Sequence, residues 1–381
     1  MNRRQFIAST GFAAAGAAAH AAASVANTGS KLFKRIDFRS DGLGLDPREY
    51  TLLLDKLVTA RGLEADDYSN GGAVEELEHK FSQLLGKERA IFLPTGTLAN
   101  HLAVRKLAGA DRRVLVQAES HLYNDSGDCA ETLSGLNLIP LAPDKATFEL
   151  ADVKRWVQRS AGGRVETKVG VISIESPVRR KAHEMFDVAE MEKVCAYARE
   201  QGVRLHLDGA RMFNLPHHSR KSVRDYASLF DTVYVSLWKH FNGASGAILA
   251  GDATFIDGLF HTRRMFGGSL PHAWPQIALV LQYADGYESE YSRAWRAADE
   301  LIGLLQSDSR FEVEKMANGT SIFFLHMRGT APESLTERLS ARGIVFPHAR
   351  PGTQTFALQV NATILRTTPA VIFQAITEAA W

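Results

Sequence analysis

Between residues 73 and 250 the chain alternates short, apolar, β-branched runs with amphipathic helical stretches, and few architectures tolerate that alternation. The runs at 114–117, 169–174, 203–207 and 232–236 are largely apolar, rich in β-branched residues and shorter than helices usually are. A strand that is apolar on both sides must be covered on both sides, and parallel neighbours need a crossover helix to join them. The helical text is there. Residues 73–85 carry a stripe of Val74, Leu77, Phe81, Leu84 and Leu85 and stop at Gly86. A second stretch, 98–107, follows a short strand at 90–93, and a third covers 188–199. The expected fold class is α/β, a mainly parallel sheet with helices on both faces. The run at 245–250 comes too soon after 232–236 for a crossover and is expected to be antiparallel. After about residue 285 the pattern changes to a long helix at 290–305, a strand at 321–326, a helix near 331–341, a strand near 356–360 and a last helix from Pro369. This predicts a large domain over 27–285, including the N-terminal segment, and a small α+β domain over 286–381.

The first 26 residues are excluded from the fold. Arg3-Arg4 stand ahead of an alanine-rich run, and Ala21-Ala22-Ala23 or Ser24-Val25-Ala26 offers small residues for cleavage. The reading is a twin-arginine signal peptide and a periplasmic protein. The run is short, weakly apolar and broken by Gly11, Gly16 and His20, so membrane insertion is not expected. The remaining chain, roughly 355 residues, can bury a large core. The full sequence has a formal charge of +1, and removing Arg3 and Arg4 leaves −1, which suggests no nucleic-acid or membrane surface. Cys129 and Cys195 form no disulfide framework, and His206 with Asp208 has no third ligand at metal-binding spacing. No metal is expected.

Three fragments carry chemistry. Thr95-Gly96-Thr97 joins a strand to a helix, where free N–H groups, the helix dipole and a glycine's open backbone favour a phosphate. Asp208 ends a strand, the edge at which open α/β sheets collect ligands. Lys239 follows a strand beside Trp238, and burial there would lower its pKa and make it nucleophilic. Ser236 can add a hydroxyl to the phosphate cup, and His121, just past the strand 114–117, could stack on a flat ligand. Each fragment alone has a plainer reading: a helix cap, a turn cap, a solvated lysine, a structural histidine. In this order they read as a site for pyridoxal 5′-phosphate, with a Schiff-base lysine and an acid against the pyridinium nitrogen. That cofactor limits the substrate to an amino acid or related amine.

The chain resembles the threonine aldolase and β-eliminating lyase group of fold-type I pyridoxal-phosphate enzymes, from about Ile36 to Arg366. The likeness rests on Asp37-Phe38-Arg39-Ser40-Asp41, on the stretch 86–100 around Thr95-Gly96-Thr97, on His206-Leu207-Asp208-Gly209-Ala210-Arg211, and on Met265-Phe266-Gly267-Gly268. The resemblance implies that Lys239 is the covalent lysine, Asp208 the pyridinium partner, His121 the stacking ring, and Gly96 and Thr97 phosphate ligands. It implies that Arg211 lies beside the cofactor and, with Ser40 and Arg366, holds the substrate carboxylate. It also implies a homodimer or homotetramer.

The substrate side departs from the family. Threonine aldolases typically read Glu-Asn-Thr-His-Asn where this chain reads Glu175-Ser176-Pro177-Val178-Arg179, so the histidine that handles the β-hydroxyl is replaced by Val178. Val178 is expected to pack against an aryl or alkyl side chain and to make threonine a poor substrate. Asp125, shorter than the family's usual acid, joins His121 or a held water as a candidate base. The expected activity is retro-aldol cleavage of a β-hydroxy or β-substituted amino acid to glycine and an aldehyde. β-Elimination, racemisation and transamination on the same fold stay open, as does an exported protein that binds pyridoxal phosphate or amino acids without catalysis.

Overall fold

Each apolar run of the central region becomes a strand because its neighbours bury both of its faces. The computed structural model describes residues 32–329 and 332–380, so the expected signal peptide lies outside the described residues. In chain order the strands are β1 (Ile36–Asp37), β2 (Arg89–Leu93), β3 (Arg113–Gln117), β4 (Asn137–Leu141), β5 (Val169–Glu175), β6 (Arg204–Asp208), β7 (Thr232–Ser236), β8 (Ala247–Gly251), β9 (Phe311–Lys315), β10 (Ile322–Met327), β11 (Ile344–Val345) and β12 (Thr355–Gln359). The central sheet has seven strands in the order β2-β8-β7-β6-β5-β3-β4. Parallel pairing joins β4, β3, β5, β6 and β7, and β8 runs antiparallel to both β7 and β2. The interior strand β5 is buried along its whole length, as a sheet covered on both faces requires.

Helices cover the two faces. Helix Gly72–Leu85 ends at Gly86 in the left-handed conformation and puts Val74, Leu77 and Phe81 into the main core. Phe81, Phe213 and Phe241 meet edge to face, with centroids 6.2, 5.3 and 5.0 Å apart. Such pairs add about 0.5–1.5 kcal/mol beyond simple burial. Phe213 and Phe241 lie two residues past Arg211 and Lys239, so this cluster anchors the segments that carry both. On the opposite face, helix Gly96–Ala108 buries Ala99, Leu102 and Ala103 against Ile91, Leu93 and Leu249.

The C-terminal layer is a three-stranded antiparallel sheet, β12-β10-β9, with helices Tyr287–Gln306 and Pro369–Ala379. It recruits the other end of the chain. β1 pairs in parallel with β11, Ile36 opposite Ile344, in a separate two-stranded sheet, while helix Pro47–Arg61 packs Leu57 against Ala278 and Leu279, so the N-terminal segment touches both parts of the molecule. Among the described residues no helix is long and apolar enough to cross a membrane.

Candidate active site

The parallel strands deliver their C-terminal ends to one cavity of about 220 Å³, lined by Thr95, Gly96, Thr97, His121, Glu175, Asp208, Ala210, Arg211, Tyr234, Trp238, Lys239 and Ser245. Helix Gly96–Ala108 opens onto it. Thr95 caps that helix, its hydroxyl accepting the Leu98 N–H at 3.2 Å, which leaves the earlier N–H groups for a ligand. A Cβ at Gly96 would stand 2.0 Å from the Tyr234 hydroxyl oxygen, so the strand below favours glycine there. The Ser236 hydroxyl is fully buried on the same strand as Tyr234.

Lys239 is only 8% exposed, and its ammonium lies 5.5 Å from the Trp238 ring centre. Burial, reinforced by the Arg211 charge, pushes its amine down to about 8, against the pull of Asp41, Asp208 and Glu175. Asp208 is held by a polar chain. Asn100 Nδ2 donates to Asp208 Oδ2 at 2.5 Å, and Asn100 Oδ1 lies 2.9 Å from His206 Nε2. His206 Nδ1 is 2.9 Å from the Thr232 hydroxyl. Burial drives His206 down to about 4, so its ring is neutral, and the network assigns Nε2–H as the donor to Asn100.

Glu175 and Asp208 are register partners on adjacent strands, and both carboxyls enter the cavity. Burial, and then the Asp208 charge, push Glu175 upward. Its oxygens accept the backbone N–H groups of His121 at 2.6 Å and Arg179 at 2.9 Å. The first of these bonds sets His121 at the cavity wall. Burial lowers the His121 imidazole below its ordinary value, which keeps it neutral near pH 7. The residues present fit pyridoxal phosphate: a helix N-terminus with a glycine cradle, a carboxylate held rigid, and a lysine of lowered pKa.

Of the residues proposed from sequence, Gly96, Thr97, His121, Asp208, Arg211 and Lys239 come together. Four do not line the cavity. Ser236 is fully buried and is not among the lining residues. Ser40 lines a neighbouring groove of about 670 Å³ that shares Trp238 with the site, and its hydroxyl donates to Asp37 at 3.1 Å. Arg366 is turned away, donating to the Arg35 carbonyl and facing Glu49 and Tyr283. Asp125 is claimed by two guanidiniums, bonding Arg179 and sitting 3.0 Å from Arg180. Slight burial opposes the shift, but those arginines hold its carboxyl below the usual range, which suits an ion pair and not a base.

Val178 requires the fullest correction. It is 0% exposed, its N–H donates to the Glu184 carbonyl at 2.8 Å, and it is absent from the cavity wall. It packs into the protein and cannot meet a substrate side chain. Asn100, Glu175, Tyr234, Trp238 and Ser245 form or support the site without having been singled out. Asn100 and Glu175 stand inside the quoted family segments, which was the one signal available for them. Among the described residues no cluster of His, Cys, Asp and Glu could hold a metal ion.

The chain matches the beta-eliminating lyase family over residues 53–324. It is 28% identical to the low-specificity L-threonine aldolase of Eremothecium gossypii, across 70% of this chain and 68% of that one. A solved protein from Listeria monocytogenes EGD-E, a proposed L-allo-threonine aldolase, superposes with a TM-score of 0.75 at 27% identity, covering 91% of this chain and 96% of that one. A serine palmitoyltransferase from S. paucimobilis with pyridoxal phosphate bound has the same fold, with a TM-score of 0.66 at 16% identity over 91% and 86% of the two chains.

Proposed function

The chain belongs to the beta-eliminating lyase family, and from that premise we propose that it is a pyridoxal-phosphate-dependent lyase that cleaves a β-hydroxy amino acid to glycine and an aldehyde. The observation that carries this reading is Lys239 and Asp208 in one cavity at the N-terminus of helix Gly96–Ala108. Bound there, the cofactor supplies a sink for the electron pair released at the substrate's α-carbon. Gly96 and Thr97 would hold its phosphate, and Lys239 would tether it. Asp208, steadied by Asn100, would keep a proton on the ring nitrogen. His121 is the base favoured for the β-hydroxyl proton, because it is neutral and lines the cavity while Asp125 is tied to arginines.

A second reading, β-elimination or racemisation, is favoured by the loop after β5, which turns Val178 inward and offers no histidine to the cavity wall. Lys239 would then take the α-proton. Incubating the purified holoprotein with threonine, allo-threonine and phenylserine separates the two. Glycine and aldehyde in equal amounts are expected. Ammonia with a keto acid, or turnover of none, would overturn the aldolase reading. Export by the twin-arginine route and assembly into a dimer or tetramer belong to the same proposal. The first is supported by Arg3-Arg4. The second is supported by exposed Tyr68, Phe260 and Met265.

A further inference from the structure

Arg211 is the one guanidinium among the residues that line the cavity. One edge of its fork is already occupied. Nε and Nη2 donate to Asp41 Oδ1 and Oδ2 at 2.7 and 2.9 Å, a side-on bidentate pair that leaves Nη1 unused. Both partners are almost wholly buried. Burial alone would raise the Asp41 carboxyl, but the Arg211 charge overrides it and holds Asp41 far below the usual range. The pair is therefore permanently charged.

Two roles are open to such an aspartate. It could be a stand-in that leaves when a ligand's carboxylate arrives, or it could be a brace. The segment that carries it decides between them. Asn361 Nδ2 donates to the carbonyls of Asp37 and Ser40, each at 2.7 Å. The Gln359 N–H donates to the Phe38 carbonyl at 2.9 Å, and the Leu43 N–H to Asn242 Oδ1 at 2.8 Å. Gly42 lies so close over the lysine that a Cβ would come within 2.4 Å of the Lys239 carbonyl. Gln359 Nε2 then donates to Asp41 Oδ1 itself at 2.6 Å. A residue fixed on so many sides does not swing.

We propose that Asp41 is a positioning residue: it braces the Nε–Nη2 edge of Arg211 so that the Nη1–Nη2 edge stays aimed into the cavity as the anchor for a substrate's α-carboxylate. The lyase reading enters only in naming the ligand as an amino acid. Arginine suits the arrangement because its planar fork offers two bidentate edges at once, and fixing one orients the other. It also accounts for a site in which Arg366 points elsewhere.

The test compares glycine with glycine methyl ester, which lacks the anion, by titrating each into the holoprotein and following its visible absorbance. The native protein is expected to bind glycine at least about tenfold more tightly than the ester, the worth of hydrogen bonds to a charged group. In Asp41→Asn that ratio falls toward one while ester binding holds. Gln359→Leu, checked by thermal melting, removes only the donor to Asp41 and shows a partial fall, so the test survives if Asp41→Asn does not fold. Equal losses for glycine and ester would mean a merely structural role and overturn the proposal. So would tighter glycine binding in Asp41→Asn, the mark of a competing stand-in, or a native protein that does not discriminate. If the holoprotein cleaves no β-hydroxy amino acid yet keeps the ratio, the lyase reading falls and this one stands.

Discussion

At Lys239, burial and the Arg211 charge favour the neutral amine while three carboxyls favour the ammonium, and burial wins. The consequence is a pH dependence with a definite sign. Only the neutral amine attacks a carbonyl, so reactivity rises with pH as the ammonium loses its proton, here near pH 8 instead of the ordinary ~10.4. Treating the cofactor-free protein with a small aldehyde and borohydride across pH 6–11, then mapping peptides, is expected to show half-maximal labelling of Lys239 near pH 8. Labelling that follows the ordinary lysine curve would mean that burial does not govern this amine. His206 shows the complementary case. Its depressed pKa keeps it an uncharged link, so it orients Asn100 without placing a second cation beside the cofactor site.

Helix Gly96–Ala108 depends on contact with a strand more than on its own propensity. Its first residue rests on the Tyr234 ring of β7, and a methyl group there meets the hydroxyl oxygen head on. Gly96→Ala is expected to lower stability by about 1–3 kcal/mol, the usual cost of overpacking. Tyr234→Phe removes the oxygen but leaves the ring carbon Cζ 2.5 Å from the added methyl, so only a small part of the loss should return, while Tyr234→Ala should return more. Thermal melts of the single and double variants check this, and a Gly96→Ala protein that melts like the native one would refute the contact. Elements of this kind were legible wherever the signal was local. The strand-turn-helix of 89–108, the strand ending at Asp208 and the antiparallel β8 all follow from apolar runs and the distances between them. β4 was not, because Pro140 reads as a breaker; it is tolerated since β4 sits at the sheet's edge, with a partner on one side only. Asn100 reaches Asp208 across 108 residues, and Gln359 reaches Asp41 across 318. No periodicity encodes such pairings. Val178 misled for a related reason: its place in the loop suggested the substrate, but a hydrogen bond to Glu184, six residues on, turns it into the core.

At the scale of the whole molecule, the proposed destination and assembly share one experiment. A periplasmic extract is expected to hold a species that begins at Ser24 or Asn27 and sediments at two or four times the chain mass. Changing Arg3 and Arg4 to lysine should leave full-length precursor in the cytoplasm. An active monomer, or unchanged export of the altered chain, would remove one proposal or the other. The bracing of Asp41 also sets an order of events during synthesis. Asp41 leaves the ribosome early, but Gln359 and Asn361, which pin its segment, come more than three hundred residues later, on the order of tens of seconds at common elongation rates. Until that last stretch is translated the wall beside Lys239 keeps its contacts to Arg211 and Asn242 but lacks the clamp on Asp41. A nascent chain can therefore complete its central sheet before the brace on its carboxylate grip has closed.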